Sequence, residues 1–109
     1  MESSALRYVV LRHEGVPKPH FDVMWESRPG SPLVTIRTDD WPMRDPTCFE
    51  RLPDHRREYL DYEGPVSGGR GHVRRIASGT CTFEVNLDDS IIVRFDSGLT
   101  FQMPRAGSD

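Results

Sequence analysis

Lysine is almost missing from this chain. Lys18 stands alone among 14 basic residues, and the rest are arginines. GC-rich codon usage produces such a skew, and so does a need for flat, bidentate phosphate donors. Cysteine is equally scarce. Cys48 and Cys81 match no metal-ligand spacing and are too few for a disulfide framework, so two buried free thiols are expected. No apolar run reaches membrane-spanning length. Residues Met1 to Ala5 show no basic segment followed by an apolar one, so no secretory signal is expected, and the expected compartment is the cytoplasm. The formal net charge of −3 argues against a general nucleic-acid coat protein. It leaves room for a local basic face, for which Arg12, Arg37, Arg56, Arg57, Arg70, Arg74 and Arg75 are the candidates.

Glycine and proline are plentiful, nine of each in 109 residues. At this length the chain forms one domain, residues 1–109, with 1–5 and 105–109 as frayed tails. Leu6 to Arg12, His20 to Glu26 and Leu33 to Thr38 read as strands rich in β-formers. The intervening segments carry strong turn signals, Gly15-Val16-Pro17-Lys18-Pro19 and Arg28-Pro29-Gly30-Ser31-Pro32. Asp39 to Thr47 reads as irregular loop anchored by Trp41. Cys48 to Leu60 reads as a strand followed by a helical turn over His55 to Tyr59, or as a solvated charged turn. Gly64 to Gly71 reads as a tight connection without the strand and helix context of a P-loop. His72 to Ile76 and Thr80 to Val85 read as strands around Ala77-Ser78-Gly79. Ile91 to Phe95 and Leu99 to Met103 read as a hairpin. Short strands with frequent turns predict an all-β fold, a small closed or partly open barrel with short helical turns.

Three of the four histidines fall in two segments, His13-x6-His20-Phe21-Asp22 and Asp54-His55-x3-Tyr59. On a strand, His20 and Asp22 point to one face, and His13 reaches that face from a neighbouring strand. Two imidazoles and a carboxylate suit a borderline divalent cation such as Mn²⁺, Fe²⁺ or Zn²⁺. Chance is the competing explanation, since His-x-Asp occurs often. His20 and Asp22 with His55 or His72 also mimic the facial triad of Fe(II) oxygenases.

These segments resemble the 3′-phosphoesterase domain of bacterial DNA ligase D. Arg7-Tyr8-Val9-Val10-Leu11-Arg12-His13 is similar to that family's R-F-V-x-Q-x-H. His20-Phe21-Asp22-Val23-Met24-Trp25-Glu26 is similar to H-Y-D-F-R-L-E, and Asp54-His55 through Tyr59 to Glu63-Gly64 is similar to E-D-H-P-x-x-Y-x-x-F-E-G. The resemblance covers most of the chain in order. It implies a β-barrel with a metal site at its open end. It also implies a Mn²⁺-dependent enzyme, with Zn²⁺ or another divalent metal as alternative, that removes a 3′-phosphate or 3′-ribonucleoside from DNA or DNA/RNA primer ends. The implied partners are a DNA ligase or polymerase, and no membrane. His13, His20 and Asp22 match the metal ligands, His55 a phosphate-contacting histidine, Tyr59 an active-site tyrosine, and Arg37 a lysine near the phosphate.

Three positions and one spacing depart from the pattern. Met24 replaces a phosphate-binding arginine, Leu11 a glutamine and Pro53 a glutamate, and the gap between His13 and His20 is one residue longer. A thioether cannot do the work of a guanidinium fork. The alternative implied is a degenerate member that binds metal, phosphate or a repair partner without turnover.

Overall fold

The computed structural model describes residues 6–43, 49–85 and 90–104. The two expected tails, Cys48 and part of the expected Asp39–Thr47 loop lie outside the described residues. The fold is mainly β. Its strands are β1 (Leu6–Glu14), β2 (His20–Glu26), β3 (Leu33–Thr38), β4 (Glu50–His55), β5 (Gly64–Pro65), β6 (His72–Val85), β7 (Ser90–Phe95) and β8 (Thr100–Pro104). A 3₁₀ turn, Arg57–Leu60, follows β4. The strands form one antiparallel sheet in the order β4-β3-β2-β1-β6-β7-β8, with β5 added to β6. The order ends at β4 and β8 without joining them, so the sheet is open. Among the described residues no helix is long and apolar enough to cross a membrane.

Strand alternation sorts side chains to two faces. Leu6, Tyr8 and Val10 of β1 join Val23 and Trp25 of β2, Ile36, Val93 and Phe95 in the larger core. Tyr8 stacks on Phe95 with ring centroids 4.1 Å apart, and Trp41 packs against the same ring at 5.9 Å. Trp41 therefore is the anchor expected of it. The opposite face carries Val9, Leu11, Met24, Leu33, Leu60 and Val73, a second cluster roofed by Tyr59 and Val66. β2 is buried on both faces, as a central strand should be.

Two expectations need correction. Ala77-Ser78-Gly79 is not a turn but the middle of the single strand β6. A bulge explains the misreading. Val10 pairs with Ala77 and Leu11 with Arg75, leaving Ile76 unmatched. An extra residue reverses the in-and-out parity of everything after it, so the alternation of β6 reads as two strands. Gly79 is needed for a different reason. A Cβ there would lie 2.3 Å from Asp96 Oδ2, and that carboxylate accepts from Thr80 N–H (3.0 Å) and Tyr8 O–H (3.1 Å). The helical turn begins at Arg57 rather than His55. His55 ends β4, an edge strand that tolerates Pro53 because nothing needs to pair on its outer side.

The expected basic face also does not gather. Arg12 sits on the opposite face from its neighbour His13, with its guanidinium 4.6 Å over the Phe21 ring. Arg75 bonds the carbonyl of Leu60, and Arg56 pairs with Glu58. Arg57 is committed to Glu26, its Nη1 2.7 Å from Oε2. That buried carboxylate also accepts from Arg7 N–H at 2.8 Å and Gly30 N–H at 3.4 Å. The arrangement ties the 3₁₀ turn to the β1 and β2 ends away from the histidines. Cys81 is a free buried thiol whose pKa burial pushes up to about 12.

Burial alone pushes the Glu26 carboxyl upward. Donors from Arg7, Arg57 and Gly30 outweigh it and hold the group below 4.5. A carboxyl depressed by folding stabilises the fold above its unfolded value, and that contribution is lost as pH falls through the folded value. Acid titration of wild type should therefore show a stability loss below about pH 4.5 that Glu26→Gln lacks. Glu26→Ala should cost about 2 to 3 kcal/mol near neutral pH in urea unfolding, because it orphans charged and backbone donors. A change under about 0.5 kcal/mol would contradict the assignment.

Candidate metal centre

β1 and β2 pair with His13 opposite His20 and Leu11 opposite Asp22. Opposed residues of an antiparallel pair share a face, so all four project from one surface. β3 adds Arg37 opposite Asp22. The result is a compact group. The ligand atoms of His13, His20 and Asp22 lie within 4.8 Å of one another. His20 and Asp22 are buried, and the two imidazoles meet edge-on with centroids 4.8 Å apart.

The hydrogen bonds decide what this group can hold. His13 Nε2 is 2.7 Å from the carbonyl of Arg70, and His20 Nδ1 is 2.9 Å from the carbonyl of Lys18. A carbonyl only accepts, so each of these nitrogens carries the proton. The other nitrogen of each neutral ring is then a lone pair. His13 Nδ1 faces Asp22 Oδ2 at 3.8 Å and His20 Nε2 faces Oδ1 at 3.6 Å. These separations exceed the roughly 2.8 Å of a charge-assisted hydrogen bond. His20 Nε2 is buried without a hydrogen-bond partner. Three electron-rich atoms converge on a gap, and a cation satisfies all of them. The donor atoms already lie within 4.8 Å of one another, so side-chain rotation would bring them to bonding distance of one ion. Backbone carbonyls on the far nitrogens are the supporting contacts that fix ligand tautomers in metal sites.

His55 and Tyr59 come to the same place from β4 and the 3₁₀ turn. Their rings meet edge-on at 5.8 Å, and His55 Nδ1 bonds the carbonyl of Pro53 at 2.9 Å. Both line a cavity of about 200 Å³ together with His13, Asp22 and Arg37. Leu11 and Met24 line it too. A wider groove of about 740 Å³ lies on the other side, lined by His13, His20, Lys18, Arg37 and Arg70. Arg37 donates from Nε to Asp22 Oδ1 at 3.3 Å, which leaves its terminal nitrogens for another anion. His72 lies elsewhere. It pairs across from Glu14, one residue out of phase with His13, and so cannot complete a triad with His20 and Asp22.

Sequence reasoning missed Arg70 and Lys18 as supports, because the atoms involved are backbone carbonyls. The legible trace is Gly71, in a segment first read as a tight connection. Its φ is +77°, and a Cβ would fall 2.1 Å from the carbonyl of Glu14. Only glycine lets this loop lie against β1 and offer the Arg70 carbonyl to His13. The bond from Val66 N–H to the carbonyl of Gly71 (2.8 Å) closes the loop.

Nitrogen-15 NMR of metal-free protein near pH 8 should find His13 protonated at Nε2 and His20 at Nδ1. Adding Zn²⁺ should move the His13 Nδ1 and His20 Nε2 resonances. A His20 ring protonated at Nε2 would contradict the geometry. No protein-family model matches the chain, and no curated protein matches it significantly, so a functional reading must be carried by these residues.

Proposed function

We propose that this protein is a metal-dependent phosphoesterase acting on nucleic-acid 3′ ends, like the DNA ligase D 3′-phosphoesterase domain it resembles. Its substrate is a DNA or DNA/RNA primer end bearing a 3′-phosphate or 3′-ribonucleoside. The observation that carries the reading is the pair of imidazoles, each pinned by a backbone carbonyl, with free lone pairs turned onto the buried Asp22. His13, His20 and Asp22 would hold Mn²⁺, or Zn²⁺ or another divalent ion. When bound, the ion supplies Lewis-acid polarisation of a phosphoryl oxygen.

The remaining work falls to side chains of the chain itself. Arg37 extends a guanidinium towards the phosphate while its Nε holds Asp22 in place. Tyr59 presents a hydroxyl donor from the opposite wall. His55 donates Nδ1–H to Pro53, so its Nε2 takes a proton from water or returns one to the departing oxygen. In the reaction, water oxygen bonds to phosphorus and an ester P–O bond breaks: a terminal ribonucleoside leaves with the proton and a 3′-phosphate remains, and in a second hydrolysis the phosphate leaves and the proton ends on the 3′ oxygen of the primer. The product is a 3′-hydroxyl, which a DNA ligase or polymerase then uses.

A second reading is a non-catalytic metal or phosphate binder. Met24 and Leu11 favour it, since both are fully buried walls of the cavity where a charged donor would assist the transition state. Activity measurements separate the two. Mn²⁺ should restore release of 3′-phosphate or ribonucleoside by metal-stripped protein. Asp22→Asn should weaken Mn²⁺ binding by at least about tenfold. His55→Ala should weaken phosphate binding and leave the melting temperature nearly unchanged. Failure of every divalent metal to produce a 3′-hydroxyl would remove the enzymatic reading. A gain of roughly a hundredfold in Met24→Arg would show that the rest of the site is competent.

A further inference from the structure

The small cavity is the more polar of the two spaces beside the triad. His13, Arg37, His55, Tyr59 and Arg70 line it around Asp22. Its charges are two guanidiniums against one carboxylate, and a bound divalent ion would widen that excess. In the wide groove Asp39 and Glu50 stand beside Lys18, Arg37 and Arg70, so the charges there nearly cancel. An anion is therefore favoured in the cavity, against the triad. Arg37 already has a part in holding it. Arg70 has been given none, and its surroundings assign it one.

In the sheet, β1 and β2 carry the triad and lie between β3 and β6. Arg37 is on β3, and Arg70 stands just before the start of β6 at His72. The two arginines thus reach the triad from opposite sides. Arg70 donates from Nε to the carbonyl of Ser67 at 2.8 Å and from Nη2 to its hydroxyl at 3.3 Å. These bonds order the side chain before any ligand arrives, which lowers the cost of binding one. They leave Nη1 unused, and among the described residues Arg70 makes no ion pair. The main chain of the same residue supports the metal site, since its carbonyl accepts from His13 Nε2 at 2.7 Å. Resting on the phosphoesterase reading, we infer that Arg70 is a second phosphate-binding arginine, which grips the substrate across the triad from Arg37. Its side chain serves the phosphate and its carbonyl serves the metal ligand. The loop from Ser67 to Gly71 therefore contributes a guanidinium to the phosphate.

Calorimetry with methylphosphonate, an inert phosphate mimic, tests the inference on Mn²⁺-loaded protein. Arg70→Ala should bind methylphosphonate at least about tenfold more weakly than the wild type. Its Mn²⁺ affinity should be unchanged, because the substitution keeps the Arg70 carbonyl. Nitrogen-15 NMR of metal-free Arg70→Ala should still find His13 protonated at Nε2, the sign that the loop has stayed in place. A second measurement needs no variant. In Zn²⁺-loaded wild type, the Arg70 guanidinium resonances should shift when methylphosphonate is added. Arg70 resonances that do not move, or methylphosphonate affinity untouched by Arg70→Ala, overturn the inference. A loss matched by an equal loss of Mn²⁺ affinity overturns it too, since Arg70 would then be only a prop for the loop. A Mn²⁺ titration of the wild type comes first and keeps the two levels apart. Absence of Mn²⁺ binding removes the phosphoesterase reading as well, whereas Mn²⁺ binding without the Arg70 effect removes only the inference.

Discussion

The pairing of β1 with β2 is the constraint on which the rest depends. One register sets His13 opposite His20 and Leu11 opposite Asp22. A slip of one residue would turn either Tyr8 and Val10 or Val23 and Trp25 out of the larger core, and would part His13 from His20 and Asp22. The core therefore specifies the site. Trp25 and Val23 are wholly buried on one face, and their loss to solvent would cost several kcal/mol. That penalty holds Asp22 and His20 to the other face with no help from any bound ion. The ligands are consequently in place before a metal arrives, and little ordering cost remains for binding to meet.

The two ends of the same sheet face solve the problem of buried charge differently. At the Glu26 end every donor is supplied by protein, from Arg7, Gly30 and Arg57. At the Asp22 end Arg37 supplies one contact and the histidines turn lone pairs towards the carboxylate. Two buried carboxylates on one strand thus differ in kind. One is complete and structural, and the other has room for a cation. The Arg57 contact serves the site indirectly, since it fixes the start of the 3₁₀ turn that carries Tyr59.

Much of this was legible in the chain. The alternation of β1, β2 and β3 and the Asp96-Ser97-Gly98 hairpin are local patterns, and local patterns survive folding. The meeting of His13, His20 and Asp22 follows from period two and a short connection. His55 and Tyr59 reach their cavity for a reason the sequence hid. A helical turn would have put them on one face, but a strand end and a 3₁₀ turn bring the rings together instead. The bulge at Ile76 was invisible because it is a relation between two strands. The supports at Lys18 and Arg70 were invisible because carbonyl oxygens leave no mark on residue identity.

The bulge has a consequence for how this chain can change. Val73 and Arg75 before it share the face of the triad, whereas Ala77 and Cys81 after it belong to the larger core. Ile76 itself is exposed and stands opposite no residue of β1. Its deletion would join Arg75 to Ala77 and leave both with their present partners, Leu11 and Val10, in one unbroken ladder. The bulge is therefore a spare link, a place where the chain can shorten by one residue without exchanging the two faces of β6.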